Sequence, residues 1–546
     1  MSVNNLEKLL LFADGPEPAA PDIHDPNVIN LADYLPAGRD QEAAVTGYLQ
    51  KAIDDTSALN NGAGGTLLVP DGKYMTAQLR LKSNVHLFLQ SGAWIKAVPD
   101  SSTANYPAQN GSDSSFIFIP NASHVKISGR GIIDGNGMAI KTLNDKANIK
   151  LLRSADVTDL QIEDVYFLDS ARWTIHLLYA QDVVLRNIKL INDLRGGPDP
   201  ANPNILLPTV TNTDGIDIDS SQNVTVDGAF IYTGDDSISP KVTNYLNLKR
   251  PTLGLQIKNN VLWSLKAALK VGDETLTDIG DIRFENNDIV RADRFVAIWA
   301  GDASHIQNID VINNRAEFIG GNYHERYFYF RIRLLNGNSK PGWIDQVHVK
   351  DFYVLNNAVQ TSSIEGYDSA HLMSNVTFDN VVIQGVQAEG RDDIPLDFKN
   401  AFYNNVVFQP SGEVYSGTSR VQINRPANNS VTNNPNPQIS GTAIPNSTLR
   451  VYVDLAAPVT LTADASGNWS YTPGAVLSEG PHTVKAVAID AAGNVSADLS
   501  IVTFTVDLTA PNSTSFVEAE DMTLVLNLSS WPNRIRLTLL IFTPFK

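Results

Sequence analysis

Two groups of carboxylates lie close together near the middle of the chain. The segment NTDGIDIDSSQNVTVDGAFIYTGDDSISPK, residues 212–241, contains Asp214, Asp217 and Asp219 in one group and Asp235 with Asp236 in the other. Carboxylates in close contact cannot all ionise easily, so we expect at least one to keep its proton near neutral pH. One protonated and one ionised acid are what the cleavage of a glycosidic bond requires.

The offset between the two groups favours chemistry over the alternatives, which are a calcium site or a solvated turn. Asp235 follows Asp214 by 21 residues, about one coil of a solenoid. Such an offset brings Asp214, Asp235 and Asp236 together on one exterior face. Asp217 and Asp219 are expected to face the next turn or solvent.

A recurring pattern of short strands predicts the fold that positions these carboxylates. Alternating apolar segments with Asn or Asp, such as DLQIEDVYFLD, GLQIKNNVLW and NIDVINNRAEF, recur from about residue 120 to about residue 410. This pattern predicts an all-β protein with a parallel β-helix, whose coils lie about 4.8 Å apart. A β-sandwich would not give so many similar units, and propeller blades are more even in length.

The segments on either side differ in character. The stretch DQEAAVTGYLQKAIDD places Ala43, Val45, Leu49 and Ala52 near one face, which predicts an amphipathic helix that caps the open end of the solenoid and ends at GAGG. Beyond a Pro- and Asn-rich stretch, short alternating strands predict a small β-sandwich. The predicted parts are an N-terminal extension (1–34), a β-helix (35–415), a linker (416–435), a sandwich (436–508) and a linker with a short remnant (509–546).

Composition narrows the range of partners. A net charge of −18 argues against nucleic acid or an anionic membrane as the main partner. The chain has no cysteine, so disulfides and cysteine nucleophiles are excluded. No apolar run is long enough to span a bilayer, and the first residues make a poor signal peptide.

Four blocks resemble glycoside hydrolase family 28, the polygalacturonase-like enzymes, over roughly residues 35–410. They are GGTLLVPDGKYMTAQLRLKSNVHLFLQSGAWIKA, ARWTIHLLYAQDVVLRNIKL, NTDGIDIDS and GDDSISPK. The resemblance implies a right-handed parallel β-helix and hydrolysis of a pectic polysaccharide with inversion, without metal or cofactor. It implies Asp235 as the general acid, and Asp214 with Asp236 as the residues that hold and deprotonate the water. An inverting site requires carboxyl groups about 6.5–9.5 Å apart.

Two motifs of this family are missing from the chain. The Gly-His-Gly motif is replaced within WSLKAALKVGDE, where Lys266, Lys270 and Glu274 are the polar residues. The Arg-Ile-Lys motif is replaced within RFVAIWAGD, where Ala297 and Trp299 occupy the basic positions. Because those basic residues are expected to bind the substrate carboxylate, a rhamnogalacturonan or an algal or neutral galactan is an alternative to galacturonan.

Six residues are candidates for substrate binding: Asn212, His176, Lys241, Lys270, Glu274 and Trp299. The two lysines would meet anionic sugar groups, or else form ion pairs with Glu274 or Asp236. Trp299 is either a stacking platform for a sugar ring or part of the core. His176 is either near the substrate or a structural hydrogen-bonding residue. Arg331 and Arg333 are expected in surface ion pairs.

The C-terminal segments indicate a secreted enzyme. GTAIPNSTLRVYVD and HTVKAVAIDAAGNVS resemble bacterial Ig-like repeats, and FVEAEDM resembles the first strand of a carbohydrate-binding module. We therefore expect an extracellular or periplasmic protein whose signal peptide is absent from this chain, acting as a monomer on a polysaccharide. A polysaccharide lyase and a non-catalytic polysaccharide-binding protein remain the other interpretations.

Overall fold

The computed structural model describes most of the chain. The described residues are 18–40, 43–109, 113–192, 197–198, 206–207, 212–245, 248–320, 326–334, 340–355, 361–390, 393–394, 396–400, 402–409, 411, 414–415, 421–443, 446–454, 456–489 and 500–508.

The main domain is a parallel β-helix, which confirms the predicted fold. Strands of one coil pair in parallel with strands of the next coil, in register. Ile175, Ile216 and Ile238 occupy successive positions of one such register and are fully buried. Stacked branched residues of this kind fill the interior of the solenoid, while the alternate residues on each strand point outward.

Three faces make up each coil. The site face, named for the carboxylates that it carries, contains the strands or strand halves Leu79–Arg80, Ser114–Gly129, Ile149–Glu163, Ile175–Leu178, Ile216–Asp219, Ile238–Lys241, Ala267–Gly272, Arg294–Ala300, Arg326–Ile332, Ser362–Glu365 and Leu396–Phe398. The second face contains Val28–Asn30, Gly65–Val69, Val85–Leu89, the later halves of Ser114–Gly129 and Ile149–Glu163, Gln181–Arg186, Gln222–Asp227, Thr252–Lys258, Ile279–Glu285, His305–Ala316, Trp343–Val354, Met373–Ile383 and Tyr403–Gln409. The third face contains Gly72–Thr76, Ala93–Ala97, Ile132–Asp134, Tyr166–Leu168, Lys189–Ile191, Phe230–Thr233, Val261–Ser264, Asp288–Arg291 and the end of His305–Ala316.

Short antiparallel pieces complete the β-helix. Val386–Gln387 and Val414–Tyr415 each pair with a strand of the second face, and Gly197–Pro198 pairs with Leu206–Leu207. The first strand, Val28–Asn30, already pairs with Gly65–Val69, although its residues fall within the segment expected to be an N-terminal extension.

The predicted capping helix is present as Thr46–Gly62, but its helical backbone ends before GAGG, because Leu59 is extended and Asn60 and Asn61 are left-handed. Leu49, Ala52 and Ile53 are buried in the same core as the first coils. Ala43 lies before the helix and is exposed, so it does not contribute to the buried face. A 3-10 helix, Leu31–Tyr34, and an α-helix, Gly137–Leu143, are the other helices of the described residues.

Buried asparagines connect successive coils where the second face turns into the third. The Nδ2 atom of Asn260 donates to Oδ1 of Asn287 over 2.8 Å, and Nδ2 of Asn287 donates to Oδ1 of Asn314 over 3.0 Å. The spacing is 27 residues in both cases. Because buried amides without partners are costly, this ladder favours a single stacking register.

The C-terminal region forms a separate sandwich with its own core. Its strands are Gln422–Arg425, Ser430–Thr432, Ile439–Thr442, Thr448–Val453, Val459–Thr462, Asn468–Tyr471, Gly480–Ile489 and Ser500–Val506. Leu449, Trp469 and Phe504 belong to a buried cluster distinct from that of the β-helix. The sandwich includes residues 422–432, which the sequence placed in the linker, and the remnant after residue 508 lies outside the described residues. No helix of the described residues is long and apolar enough to cross a membrane.

Candidate active site

Asp214 and Asp236 occupy neighbouring coils of the site face. Ile216 pairs with Ile238, and the N–H of Gly215 donates to the carbonyl of Asp236 over 2.9 Å. The register therefore places Asp214 beside Asp236, with Asp235 one residue earlier in the turn. The offset is one residue longer than the sequence suggested, but the expected three-carboxylate cluster forms.

The cluster is compact. One oxygen from each of Asp214, Asp235 and Asp236 lies within 4.8 Å of the other two. Two of the residues are consecutive and the third lies on the adjacent coil, about 4.8 Å away. The roughly 6.5–9.5 Å expected for an inverting pair refers to whole carboxyl groups rather than to nearest oxygens, so that expectation stays a prediction.

Close backbone packing holds the cluster in place. A Cβ atom on Gly215 would lie 2.4 Å from the carbonyl oxygen of Ser237, so only glycine allows the two coils to approach this closely. The carbonyl of Asp235 accepts hydrogen bonds from the hydroxyls of Thr233, over 2.8 Å, and Ser264, over 2.6 Å. These hydroxyls fix the turn that presents the Asp235 side chain.

Burial and mutual repulsion keep protons on the cluster. Asp214 is buried, and desolvation together with Asp217 and Asp235 raises its pKa well above the ordinary value. Asp235 is half-buried, and desolvation with the adjacent Asp236 raises its pKa to about 6. The site therefore contains protonated carboxyl groups under mildly acidic conditions.

Asp236 differs from the other two carboxylates because cations surround it. Its Oδ1 accepts from the N–H of Ala267 over 2.8 Å and lies 3.5 Å from Nη2 of Arg294, while Oδ2 lies 3.9 Å from Nζ of Lys270. All three partners belong to the next two coils, in which Ala267 pairs with Arg294. Asp236 is therefore the carboxyl group of the cluster with the closest contacts to cationic side chains.

Sequence reasoning missed Arg294. It lies three residues before Ala297, the position compared with the family motif, and its side chain is only 8% exposed. The strand register could have identified Arg294, because this residue continues the row of outward residues that contains Asp214 and Asp236. A basic group therefore reaches the cluster from a different strand position.

Trp299 lies beside the cations rather than in the apolar core. Its ring is half-buried, with Nζ of Lys270 at 4.1 Å and the guanidinium carbon of Arg333 at 4.6 Å from the ring centroid. Tyr329 packs edge-on against the same ring. The accessible part of Trp299 and these cations form a combined aromatic and basic surface next to the carboxylates.

Asp273 forms ion pairs with two of these cations, Lys270 and Arg333. It contacts Arg333, and its carboxylate lies 3.4 Å from Nζ of Lys270. Burial opposes ionisation of Asp273, but Lys270 and Arg333 hold its pKa below the ordinary value. The ion pairs expected for Arg333 and for Arg331, which lies 2.8 Å from Glu365, are confirmed.

Lys241 is part of a buried ion pair. Its Nζ lies 2.7 Å from Asp217 and 3.9 Å from Glu274, and it stacks over Trp173 at 4.2 Å. Burial opposes its charge, but Asp217, Glu274 and Asp214 overcome this and raise its pKa well above the ordinary value. The ion-pair alternative given for Lys241 therefore describes its contacts in the structure.

Asp217 and Asp219 are expected to face the next turn or solvent, and the full burial of both side chains rules out solvent. Both contact the next coil, where Asp217 meets Lys241. Asp219 accepts from the hydroxyl of Thr243 over 2.6 Å and lies 3.1 Å from Nε2 of His176.

His176 is not accessible to a substrate. The structure buries it completely, and desolvation with nearby Arg153 and Lys150 lowers its pKa well below the ordinary value. The structural alternative therefore describes His176, and direct substrate binding does not.

Two further candidates lie at accessible positions near the cluster. Asn212, two residues before Asp214, is exposed in a left-handed backbone conformation with φ of 55°. The side chain of Glu274 is 47% exposed. Contact of either residue with a substrate stays a prediction.

Comparison with known proteins agrees with the fold and with the two domains. Residues 61–254 match the model of Glycosyl hydrolases family 28, and residues 424–508 match that of the Bacterial Ig-like domain. A probable polygalacturonase of Vitis vinifera is 27% identical over 50% of this chain and 57% of its own length. An exo-poly-alpha-D-galacturonosidase of Dickeya chrysanthemi is 24% identical over 70% of this chain and 71% of its own length.

Solved structures show the same fold. The crystal structure of a hyperthermoactive exopolygalacturonase from Thermotoga maritima superposes with a TM-score of 0.54 and 19% identity, over 74% of this chain and 96% of that chain. A family 28 exopolygalacturonase from Yersinia enterocolitica gives a TM-score of 0.52 and 20% identity, over 70% and 78%. The first matched region lies within the β-helix, whose core extends further, from Leu31 to Phe408, and the second contains most of the sandwich core.

Proposed function

From a chain that carries a family 28 glycosyl hydrolase domain and a bacterial Ig-like domain, we propose a secreted hydrolase that cleaves glycosidic bonds of a pectic, polygalacturonan-type polysaccharide. The observation that carries this proposal is the cluster of Asp214, Asp235 and Asp236, in which two carboxyl groups have raised pKa values and the third is surrounded by cations. We propose that it acts outside the cell as a monomer.

Each carboxyl group has a distinct role in the proposed reaction. Asp235, half-buried with a pKa of about 6, protonates the oxygen of the leaving sugar. Asp236, held by Ala267, Lys270 and Arg294, takes a proton from the attacking water. Asp214 holds the same water from the adjacent coil. The bond between the anomeric carbon and the leaving oxygen breaks as the bond to water forms.

The cations support an anionic sugar in spite of the missing family motifs. Lys270, Arg294 and Arg333 surround Trp299 at 4.1, 5.5 and 4.6 Å from its ring centroid. A uronate ring can stack on Trp299 while its carboxylate meets the lysine or a guanidinium. This arrangement favours a galacturonan over a neutral galactan, which would gain little from three positive charges.

The proposed reaction inverts the anomeric centre, as the resemblance to the family implies. An inverting enzyme gives a first product whose anomeric configuration is opposite to that of the bond cut, whereas a retaining enzyme gives the same configuration. Proton NMR of the first product, recorded before its anomers equilibrate, decides between the two outcomes.

The proposed function is tested by the release of reducing sugars from a panel of polygalacturonan, rhamnogalacturonan, and algal and neutral galactans. We expect the highest rate with polygalacturonan, and we expect Asp235→Asn to lower kcat by at least about 10²-fold while substrate binding persists. A rise in absorbance near 235 nm would indicate a lyase instead. Unchanged turnover in Asp235→Asn would remove the acid assignment.

A further inference from the structure

One segment that leaves the coil of Lys241 lies along the edge of the site face of earlier coils, where the site-face strands end, and the ring of its Tyr245 extends over that face. We name the residues Thr243–Tyr245 and Leu248–Arg250 the strap. Thr243 bonds Asp219 on the adjacent coil, through its N–H over 2.9 Å and through its hydroxyl over 2.6 Å. The strap thus starts above the strand that follows Asp214 and runs toward the N-terminal end of the β-helix.

The middle of the strap is fixed to the coil that precedes Asp214. The hydroxyl of Tyr179 donates to the carbonyl of Leu248 over 2.7 Å and also to the carbonyl of Tyr245. The ring of Tyr245 lies 5.7 Å from the His176 ring and 4.8 Å from the guanidinium of Arg153. The strap therefore covers the outward residues of two successive coils.

The far end of the strap reaches one coil further. Arg250 forms an ion pair with Asp156 over 2.9 Å, directly after the site-face half of strand Ile149–Glu163. The strap thus extends over three coil spacings, about 14 Å along the axis.

The outward residues beneath the strap are removed from solvent. Lys150 and Arg153 are 0% and 1% exposed, although they lie on an outer face of a solenoid. Lys150 pairs with Asp113 over 2.8 Å, and its Nζ lies 4.8 Å from the centroid of Trp173, the residue next to Asp214 in the row of outward positions. A polysaccharide lying along the site face therefore meets a wall immediately on the N-terminal side of the carboxylates.

The opposite side of the cluster is more accessible. Arg331 is 39% exposed and Trp299 is half-buried, and both follow the carboxylates toward the C-terminal coils in the described part of the chain. Among the described residues, the site face is therefore covered at the strap and more accessible toward the C-terminal coils, where further sugar units can extend.

We propose that the strap makes the enzyme act on chain ends: one terminus of the polysaccharide enters against the wall, and short products of fixed size are released from that terminus. This proposal rests on the proposed function, since it concerns where the same carboxylates cut. An open groove would accept internal segments and cut at many positions, whereas a closed groove accepts only a terminus.

The test compares polygalacturonan fractions of different chain length at equal mass and below saturation. At equal mass the number of chain ends is inversely proportional to chain length, so action on chain ends predicts an initial rate of reducing-sugar release in inverse proportion to chain length, with a single small product from the start. A rate independent of chain length with a ladder of intermediate products overturns the inference and leaves the proposed hydrolase standing. If only another polymer of the panel is cut, its fractions replace polygalacturonan; if none is cut, the proposed function and this inference both fall.

A variant tests the strap itself. Tyr179→Phe removes the hydroxyl that binds the two strap carbonyls and keeps the ring, so we expect the share of internal cuts to rise about fivefold. Tyr106→Phe is the matched control, because Tyr106 is a buried tyrosine whose hydroxyl donates to the carbonyl of Val98 over 2.8 Å, away from the strap. An unchanged product profile in folded Tyr179→Phe protein, verified by its melting temperature, overturns the role of the strap. If that variant does not fold, the chain-length comparison with the unaltered protein decides.

Discussion

Asp235 is a carboxyl group whose environment suits proton donation rather than stability. In the folded protein it keeps its proton up to about pH 6, whereas in the unfolded chain it ionises near pH 3.8. The folded state therefore binds more protons between these values, and the free energy of unfolding falls as the pH rises through this window. Above pH 6 the loss is complete.

The loss of stability with rising pH leads to a prediction for Asp235→Asn. At pH 7.5 the variant should unfold with a free energy about 1–3 kcal/mol higher than that of the unaltered protein, because it no longer places a charge beside Asp236. At pH 4 the two proteins should be similar, since Asp235 is then largely neutral. Urea unfolding at both pH values measures the difference, and an equal difference at pH 4 and pH 7.5 would contradict the assigned titration.

At the residue scale the sequence predicted the carboxylate cluster but only part of its surroundings. Aspartates about one coil apart are visible in the sequence because their offset matches the coil length, and an ion pair of Lys270 with Asp236 was one of the alternatives. The contact of Arg294 with Asp236 depends on the register two coils away, which a single sequence does not give. The burial of His176 depends on the strap, and no periodic sequence pattern predicts the strap.

The asparagine ladder is the element that sets the stacking of the coils nearest the site. Oδ1 of Asn287 accepts from the N–H and Nδ2 of Asn260 over 3.0 and 2.8 Å, and its Nδ2 donates to the carbonyl of Ile257 over 3.2 Å. Removal of this amide leaves several buried groups without partners, which is more costly than the loss of one solvent-exposed hydrogen bond.

We therefore predict that Asn287→Ala lowers the free energy of unfolding by about 2–4 kcal/mol, as measured by urea denaturation. The neighbouring, half-buried residue Asn286 provides the control, because its side chain bonds Asn259 on the surface and its φ is 55°. Asn286→Gly keeps that backbone conformation and should cost less than about 1 kcal/mol. Equal losses of unfolding free energy in the two variants would mean that the buried ladder stabilises the fold no more than a surface hydrogen bond does.

Sequence periodicity predicted the elements well where the chain repeats and poorly at its ends. Alternating strands with an asparagine at the bend identify a coil directly, and the capping helix follows from the spacing of Leu49 and Ala52. The strands at 422–432 were assigned to a linker because Pro and Asn dominate them, and tertiary pairing with residues 439–442 and 504–506 outweighs that local preference.

At the scale of the whole molecule, the two cores predict two independent folding units. The β-helix core and the sandwich core share no residue among the described parts of the chain. Domains with separate cores can in principle fold alone.

A chain that ends at residue 420 should therefore keep its β-helix and hydrolyse soluble polygalacturonan with kcat/KM within about twofold of the full chain. Calorimetry of the full chain should show two transitions, of which the truncated chain retains one. Loss of activity or of a cooperative transition in the truncated protein would show that the sandwich supports the β-helix.

The constant register of the solenoid also governs which changes in length its sequence can accept. Asn223 bonds Asp182 at an offset of 41 residues, whereas Asn308 bonds Asp281 at an offset of 27, yet both coils stack with the same parallel pairing. Extra residues inserted between faces leave the lattice of strands unchanged, whereas one residue added within a strand would exchange its inner and outer sides. Natural variation can thus reshape the walls of the groove by insertion while the spacing of the aspartates is inherited intact.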